Sequence, residues 1–154
     1  MTLTISRETP LGRDLSELFA RHTAAMHEET PPESIHMMDA GELATPDVAF
    51  FVMRDGGRAV GMGAFKRLTG PHAEIKSMHV LAELRGRGLS RMMLDHLIAA
   101  ARAEGIARMS LETGVQPGFA AARALYEKAG FRECPPFEGY VADPNSLFMT
   151  RDIG

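Results

Sequence analysis

The chain has 154 residues, 45% of them apolar and 24% charged, and a formal net charge of −3. These values are typical of one soluble globular domain and exclude a disordered, collagen-like or coiled-coil chain. The single cysteine excludes an internal disulfide framework, the charge argues against nucleic acid as a partner, and no apolar run is long enough to cross a membrane.

Apolar spacing and turn residues predict elements in the order β-α-α-β-β-β-α-β-α-β-β. A strand over 2–8 precedes a helix that begins at Pro10 and ends at Pro31-Pro32, and a short helix follows over 33–43. The other predictions are strands over 47–53, 58–68, 73–80, 108–113 and 146–150, an extended segment from Phe131, and helices over 87–104 and 119–129. This order predicts an α/β (α+β) fold in one domain, 1–154, with a mixed central sheet of about six to seven strands flanked by about four helices.

The most informative segment spans residues 78–91, where a strand ends, a loop with two glycines follows and a helix begins. Backbone N–H groups at the start of a helix have no partner within the helix and lie at the positive end of its dipole. Gly86 and Gly88 allow that backbone to approach a ligand closely, and nearby arginines add forked cationic donors. The segment therefore predicts an anion site, most often one for phosphate.

Two other interpretations of this loop remain open at this point. Gly86-x-Gly88, with Glu112 at the end of the next strand, matches part of a dinucleotide-binding fingerprint. Against that interpretation, the third small residue would fall at Arg91, and the first glycine comes six residues after Val80. An exposed loop that uses glycine for a turn and arginine for solubility is the plain structural alternative.

Two motifs resemble the signatures of GCN5-related N-acetyltransferases (GNAT proteins). Arg85-x-x-Gly88-x-Ser90 is similar to the family's Gln/Arg-x-x-Gly-x-Gly/Ala pyrophosphate loop, with serine at the last small position. The preceding run, Val80–Leu84, resembles Val-x-Pro-x-x with alanine in place of proline, and Leu125–Phe131 closely matches Leu-Tyr-Glu-Lys-x-Gly-Phe. Both motifs occur in the family's order, and the order of elements fits nearly the whole chain.

The resemblance implies that coenzyme A binds at this loop and along the strand before it. In GNAT proteins the loop amides hold the pyrophosphate, and the pantetheine lies like an added strand, here against the main chain near Met78 and Val80. A backbone N–H near Val80 would polarise the thioester carbonyl. The residues assigned to the coenzyme are Met78, His79, Val80, Arg85, Gly86, Arg87, Gly88, Leu89, Ser90 and Arg91.

The resemblance also implies two residues for proton transfer. Glu74 matches the general-base glutamate of histone-acetylating members, and its even spacing from Val80 puts both on one face of a regular strand, together with Met78. A solvent-facing carboxylate or a pair with Lys76 is the structural alternative. Tyr126 occupies the family's tyrosine position, where its hydroxyl would donate a proton to the departing thiolate, and a packed core aromatic is the alternative.

The acceptor side is the least determined part of the sequence. From Asp14 to Asp47 there are eight acidic residues and one basic residue, whereas the loop and helix after Leu84 are rich in arginine. An acidic acceptor side facing a basic coenzyme side would suit a cationic amine, although solvated helix faces give the same pattern. The acceptor-site candidates are Glu33, Ser34, His36, Lys76, Tyr140 and Asn145.

These assignments predict an enzyme that moves an acetyl group from acetyl-CoA to a primary amine, in a small molecule or a peptide, by direct attack in a ternary complex. The alternatives are a non-catalytic acyl-CoA-binding module and an enzyme with a nucleotide cofactor. The histidine spacing gives no metal motif, so no metal is expected. No nucleic-acid or membrane partner is expected either, and a homodimer is the oligomer that the resemblance suggests. Because the amino terminus has no signal-peptide pattern, we expect a cytoplasmic protein.

Overall fold

The computed structural model describes residues 1–154, and its elements occur in the predicted order. The strands are β1 (Leu3–Arg7), β2 (Val48–Asp55), β3 (Arg58–Arg67), β4 (His72–Val80), β5 (Arg108–Gly114), β6 (Arg132–Glu133) and β7 (Ser146–Asp152). The helices are α1 (Ser16–Glu29), α2 (Ala40–Leu43), α3 (Leu89–Ala103) and α4 (Ala120–Lys128). None of these helices has the length and apolar character that crossing a bilayer requires.

All seven strands form one mixed sheet in the order β1-β2-β3-β4-β5-β7-β6, which confirms the predicted architecture. Neighbouring strands are antiparallel except β4 and β5, which run parallel. This parallel pairing is short, because only His72–Glu74 pairs with Arg108–Ser110 although both strands continue. The carboxyl ends of β4 and β5 therefore separate and leave an opening in the middle of the sheet.

The turn between β2 and β3 shows how the sequence fixes the register of the sheet. Gly56 and Gly57 are the only residues between the two strands, and both have positive φ angles, 57° and 97°. A two-residue hairpin turn of this kind follows the right-handed twist of the strands and favours glycine at both positions. The two glycines therefore join β2 and β3 in an antiparallel hairpin.

The helix after the glycine loop packs closely on one face of the sheet, and α1 packs on the other. Gly63 of β3 makes the close approach of α3 possible, because a Cβ atom there would lie 2.9 Å from Met93 Cγ. On the opposite face, Phe19 of α1 stacks on Phe50 of β2 with ring centroids 5.9 Å apart. The opening between β4 and β5 thus has a helix fixed on each side of the sheet.

The predicted helix over 33–43 is wrong for most of its length. Only Ala40–Leu43 is α-helical, and a single 3₁₀ turn occupies Pro32–Ser34. Asp39 accepts a hydrogen bond from the Glu42 backbone while the Glu42 side chain accepts one from the Asp39 backbone, a reciprocal cap that sets the start of the helix. The residues before the cap run without regular structure toward the opening in the sheet.

Candidate active site

The opening between β4 and β5 continues into a cleft of about 480 Å³. Its walls come from β4, the glycine loop, the start of α3, the end of β5, α4 and one side of α1. A crevice at the carboxyl ends of parallel strands is a common ligand site in α/β proteins. The predicted site residues that line it are His36, Glu74, Lys76, Met78, His79, Val80, Arg85, Gly86, Gly88, Leu89, Ser90, Arg91 and Tyr126, whereas Glu33, Ser34, Arg87, Tyr140 and Asn145 lie outside the lining.

The glycine loop presents backbone N–H groups to the cleft. Gly86 and Gly88 have φ angles of 80° and 77°, and α3 begins at Leu89 rather than at the predicted Arg87 because Gly88 is left-handed. No side chain caps the helix, so the N–H groups of its first turn remain available to an anion. Arg85 lines the same end of the cleft and adds positive charge.

A β-bulge at Ser77 corrects the predicted orientation of β4. Lys76 pairs with Ala64 but His79 pairs with Met62, so β4 contains one residue more than β3 between these pairs. Ser77 takes a φ of 56°, which is the local kink. Because the extra residue shifts the alternation, His79 lies on the face of Glu74, whereas Val80 and Met78 lie on the opposite face; the expectation for a regular strand is therefore wrong.

Glu74 and Lys76 form a buried ion pair in the wall of the cleft. The side chains are 6% and 12% exposed, and Lys76 Nζ lies 3.2 Å from Glu74 Oε2. The Tyr140 hydroxyl donates a hydrogen bond of 2.6 Å to the same carboxylate oxygen. Lys76 also donates to Tyr140 Oη and to the His36 carbonyl, both at 2.9 Å. These contacts fix β4 to two loop segments, the one before α2, which contains His36, and the one before β7, which contains Tyr140.

Tyr140 reaches this pair from the long connection between β6 and β7. Burial, followed by the charge of Glu74, raises the pKa of the Tyr140 phenol well above its usual range. The phenol therefore stays protonated and donates to the carboxylate. Tyr140 was predicted as an acceptor-site residue, and the structure places it behind Glu74 and Lys76 as their support.

Tyr126 lies in the wall formed by α4, with its position set by the end of that helix. Gly130 has a φ of 93°, and the Phe131 N–H donates to the Tyr126 carbonyl at 3.0 Å, which is the Schellman pattern. The Phe131 ring packs edge-on to the Tyr126 ring at 5.9 Å. Burial raises the pKa of the Tyr126 hydroxyl well above its usual range, so the group is a proton donor at neutral pH.

Ser34 and Asn145 hold loops together outside the cleft. Ser34 Oγ donates to Asp143 Oδ2 at 2.7 Å, and Asn145 Nδ2 donates to Ser34 Oγ at 3.3 Å. Gln116, after β5, donates to Asn145 Oδ1 at 3.1 Å. Ser34 and Asn145, both predicted as acceptor-site residues, therefore connect loops next to the cleft, and Glu33 is exposed to solvent.

The buried His22 and the half-buried His79 form a pair in the cleft wall. The rings of His22, on α1, and His79, on β4, have centroids 5.3 Å apart. Burial lowers the pKa of both imidazoles to about 4, so both are neutral at pH 7. Sequence reasoning missed the pairing; the only signal was the place of His22 on the apolar stripe of α1, four residues after the buried Leu18.

Glu112, near the end of β5, lies in the cleft, although the sequence pattern suggested it only as part of a dinucleotide-binding fingerprint. It lines the cleft, and burial raises the pKa of its carboxyl. Glu29 of α1 and Gly118 also line the cleft, and the Gly118 N–H donates a hydrogen bond of 2.9 Å to Glu29 Oε2. The cleft is thus lined by carboxylates from both α1 and the sheet.

The comparisons with known proteins agree with this geometry. Residues 13–131 match the model of the acetyltransferase (GNAT) family. The chain belongs to the GNAT family. Acetyltransferase activity and the use of acetyl-CoA follow from this membership, and the family predicted from the two sequence motifs is confirmed.

Relatives of this GNAT protein match it over nearly its whole length. The uncharacterized N-acetyltransferase YsnE of Bacillus subtilis strain 168 is 41% identical over 142 residues, covering 92% of this chain and 94% of YsnE. IAA acetyltransferase of Azospirillum brasilense is 39% identical over 153 residues, or 98% of each chain. PaiA N-acetyltransferase of Thermoplasma acidophilum, solved in complex with coenzyme A, has a TM-score of 0.78 over 99% of both chains at 14% identity, which shows a shared fold.

Proposed function

We propose that this GNAT domain transfers the acetyl group of acetyl-CoA to a primary amine by direct attack in a ternary complex. One observation supports this proposal above the others. A single cleft joins an uncapped helix start, an unpaired strand edge, a buried tyrosine and a set of carboxylates. The cytoplasmic location, the single-domain organisation and a homodimer remain predictions from the sequence.

The residues present fit coenzyme A. The left-handed Gly86 and Gly88, the first-turn amides of α3 and the side chains of Arg85 and Arg91 offer donors and positive charge to a diphosphate. Beyond Glu74, β4 has no β5 partner, so its main-chain groups on that side can pair with an extended amide-containing chain. The bound coenzyme supplies the activated acetyl thioester.

Tyr126 is proposed as the proton donor for the sulfur that leaves. Its hydroxyl is protonated at neutral pH, because burial disfavours the phenolate. The ring lies on the cleft wall and is fixed by the Phe131 contact and the helix end. A fixed donor of this kind contributes about 100-fold or more to the rate of a proton-transfer step.

Glu74 remains the sequence-based candidate for accepting the proton of the amine, directly or through water. Its carboxylate lines the cleft and is held by Tyr140 and Lys76. These contacts fix the carboxylate in place, but they also occupy Oε2. A proton accepted by Glu74 would therefore go to its other carboxylate oxygen or pass through an adjacent water.

The coenzyme site is tested by a matched pair of glycine variants. Gly88 and Gly105 have φ angles of 77° and 82°, and a Cβ atom at either position would meet nothing within 4 Å. Gly88→Leu and Gly105→Leu therefore impose a similar backbone cost of about 1–2 kcal/mol, but only Gly88 lines the cleft. Calorimetric titration with coenzyme A is expected to show lost binding for Gly88→Leu and wild-type affinity for Gly105→Leu. Equal affinities in the two variants would contradict the assigned site.

A further inference from the structure

Glu112 shares a face of the sheet with Glu74. In the parallel pairing Glu74 lies opposite Ser110, and Glu112 is two residues further along β5. Residues two apart on a strand point to the same face, so Glu74, Lys76 and Glu112 all lie on the face that α1 covers. They stand at the point where the two strands separate, and all three line the cleft.

The two carboxylates differ in their partners. Glu74 has Lys76 Nζ at 3.2 Å and the Tyr140 hydroxyl at 2.6 Å. Glu112 is half-buried, lines the same cleft and has no ion-pair partner. Burial raises the pKa of its carboxyl and the charge of Glu74 adds to this effect, whereas the Ser146 hydroxyl and the charges of His36 and Lys76 act to lower that pKa. A partly buried carboxylate without a cation is costly unless a ligand supplies one. Glu112 is therefore the carboxylate on this face that can receive a cationic group.

Lys76 is the lysine that lines the cleft on this face, and its ammonium already has partners. The three donors of Lys76 Nζ are directed to the His36 carbonyl, Tyr140 Oη and Glu74. The α1 side of the cleft adds Glu28 and Glu29, which are acidic. An acceptor with a carboxylate next to its amine would place that carboxylate beside these acidic side chains. No free lysine ammonium is there to pair with it, so binding of such an acceptor is unfavourable.

Building on the proposed function, we infer that Glu112 binds the ammonium of the acceptor and takes its proton, and that the acceptor is a primary alkylamine with no carboxylate on the carbon next to nitrogen. One proton passes from the ammonium to Glu112, and the neutral nitrogen then forms the new C–N bond to the acetyl carbonyl carbon. The C–S bond breaks as Tyr126 protonates the sulfur. The second nitrogen proton restores Tyr126 through solvent, and Glu112 releases its proton to water.

The substrate class is tested with matched amines that differ by a carboxylate. The probes are phenethylamine against phenylalanine and agmatine against arginine, with turnover followed as free thiol released from acetyl-CoA. We expect kcat/KM for each decarboxylated amine to exceed that of its amino acid by at least about 10-fold. Amino acids that react equally well or better would overturn the inference, as would coenzyme A binding without turnover of either amine.

The role of Glu112 is tested with Glu112→Gln and a control, Glu133→Gln, at an exposed position on β6. Glu112→Gln is expected to lower kcat/KM for the reactive amine about 100-fold, with calorimetric affinity for coenzyme A unchanged. In the wild type, kcat/KM should fall as the pH drops through the Glu112 pKa, which burial places above its ordinary 4.5. Glu112→Gln should remove this acid limb, and Glu133→Gln should keep it.

The outcomes separate this inference from the proposed function. If Glu112→Gln keeps the rate and the acid limb of the wild type, the inference fails while acetyl transfer stands. If Glu74→Gln removes the acid limb and Glu112→Gln does not, Glu74 is the base. If the wild type neither binds coenzyme A nor releases thiol, the proposed function itself fails.

Discussion

Glu74 and Lys76 form a buried ion pair whose contacts hold the cleft wall together. Lys76→Met tests how much this pair contributes to the free energy of unfolding. Methionine keeps most of the length and apolar volume of lysine but removes Nζ, which donates to the His36 carbonyl and Tyr140 Oη and lies 3.2 Å from Glu74. The side chains of the pair are only 12% and 6% exposed, so solvent cannot replace the lost cation. Breaking a buried pair at one partner costs about 3–5 kcal/mol.

The free energy of unfolding in urea measures this cost, with Lys128→Met at an exposed position of α4 as the matched control. The control should change stability by less than about 0.5 kcal/mol. In the double variant Glu74→Gln/Lys76→Met, a neutral amide replaces the carboxylate that Lys76→Met alone leaves unpaired. The double variant should therefore lose less free energy of unfolding than the two single variants together, by about 1–3 kcal/mol. A loss below about 1 kcal/mol for Lys76→Met, or full additivity in the double variant, would refute the buried-pair description.

Three further predictions concern catalysis, acid stability and packing. Tyr126→Phe should lower kcat about 100-fold with little change in coenzyme A affinity, and thiol-release kinetics with calorimetry would separate the two. Arg54 lowers the pKa of Glu8 below 4.5 by hydrogen bonding, so this pair stabilises the fold above that pH and loses its contribution as the pH falls through the folded-state value. Arg54→Met should therefore weaken the pH dependence of unfolding in acid, and an unchanged dependence would argue against the pair. Gly63→Ala should destabilise by about 1–3 kcal/mol, because its Cβ would lie 2.9 Å from Met93 Cγ, and a denaturant midpoint equal to that of the wild type would contradict the close packing.

The order of elements and the glycine loop could be predicted because their signals are local. The turn at Gly56-Gly57 has positive φ at both positions, which glycine adopts readily. At the end of α4, the N–H groups of Gly130 and Phe131 donate hydrogen bonds to the last turn of the helix. Such features depend on neighbours a few residues away. The residues of the two family motifs lie on the loop before α3 and on α4, and both segments line the cleft.

The acceptor side could not be predicted from local patterns. At Ser77 the pairing of β4 with β3 changes register, which produces the bulge. The residues around Ser77 carry no sequence signal for this change of register. The support of Glu74 by Tyr140 joins residues that are 66 positions apart in the chain. Glu112 shows the same limit, since its lack of a cationic partner becomes visible only when both strands are placed together.

The central claim is that the diphosphate of coenzyme A lies on the first turn of α3, beside Gly86 and Gly88. A crystal structure of the wild-type protein with coenzyme A tests it most directly. We predict the diphosphate oxygens within hydrogen-bond distance, about 2.7–3.2 Å, of the backbone N–H groups between Gly86 and Ser90, with the pantetheine along β4 and its sulfur near Tyr126. A diphosphate bound on any other element, with these N–H groups facing only solvent, would contradict the claim.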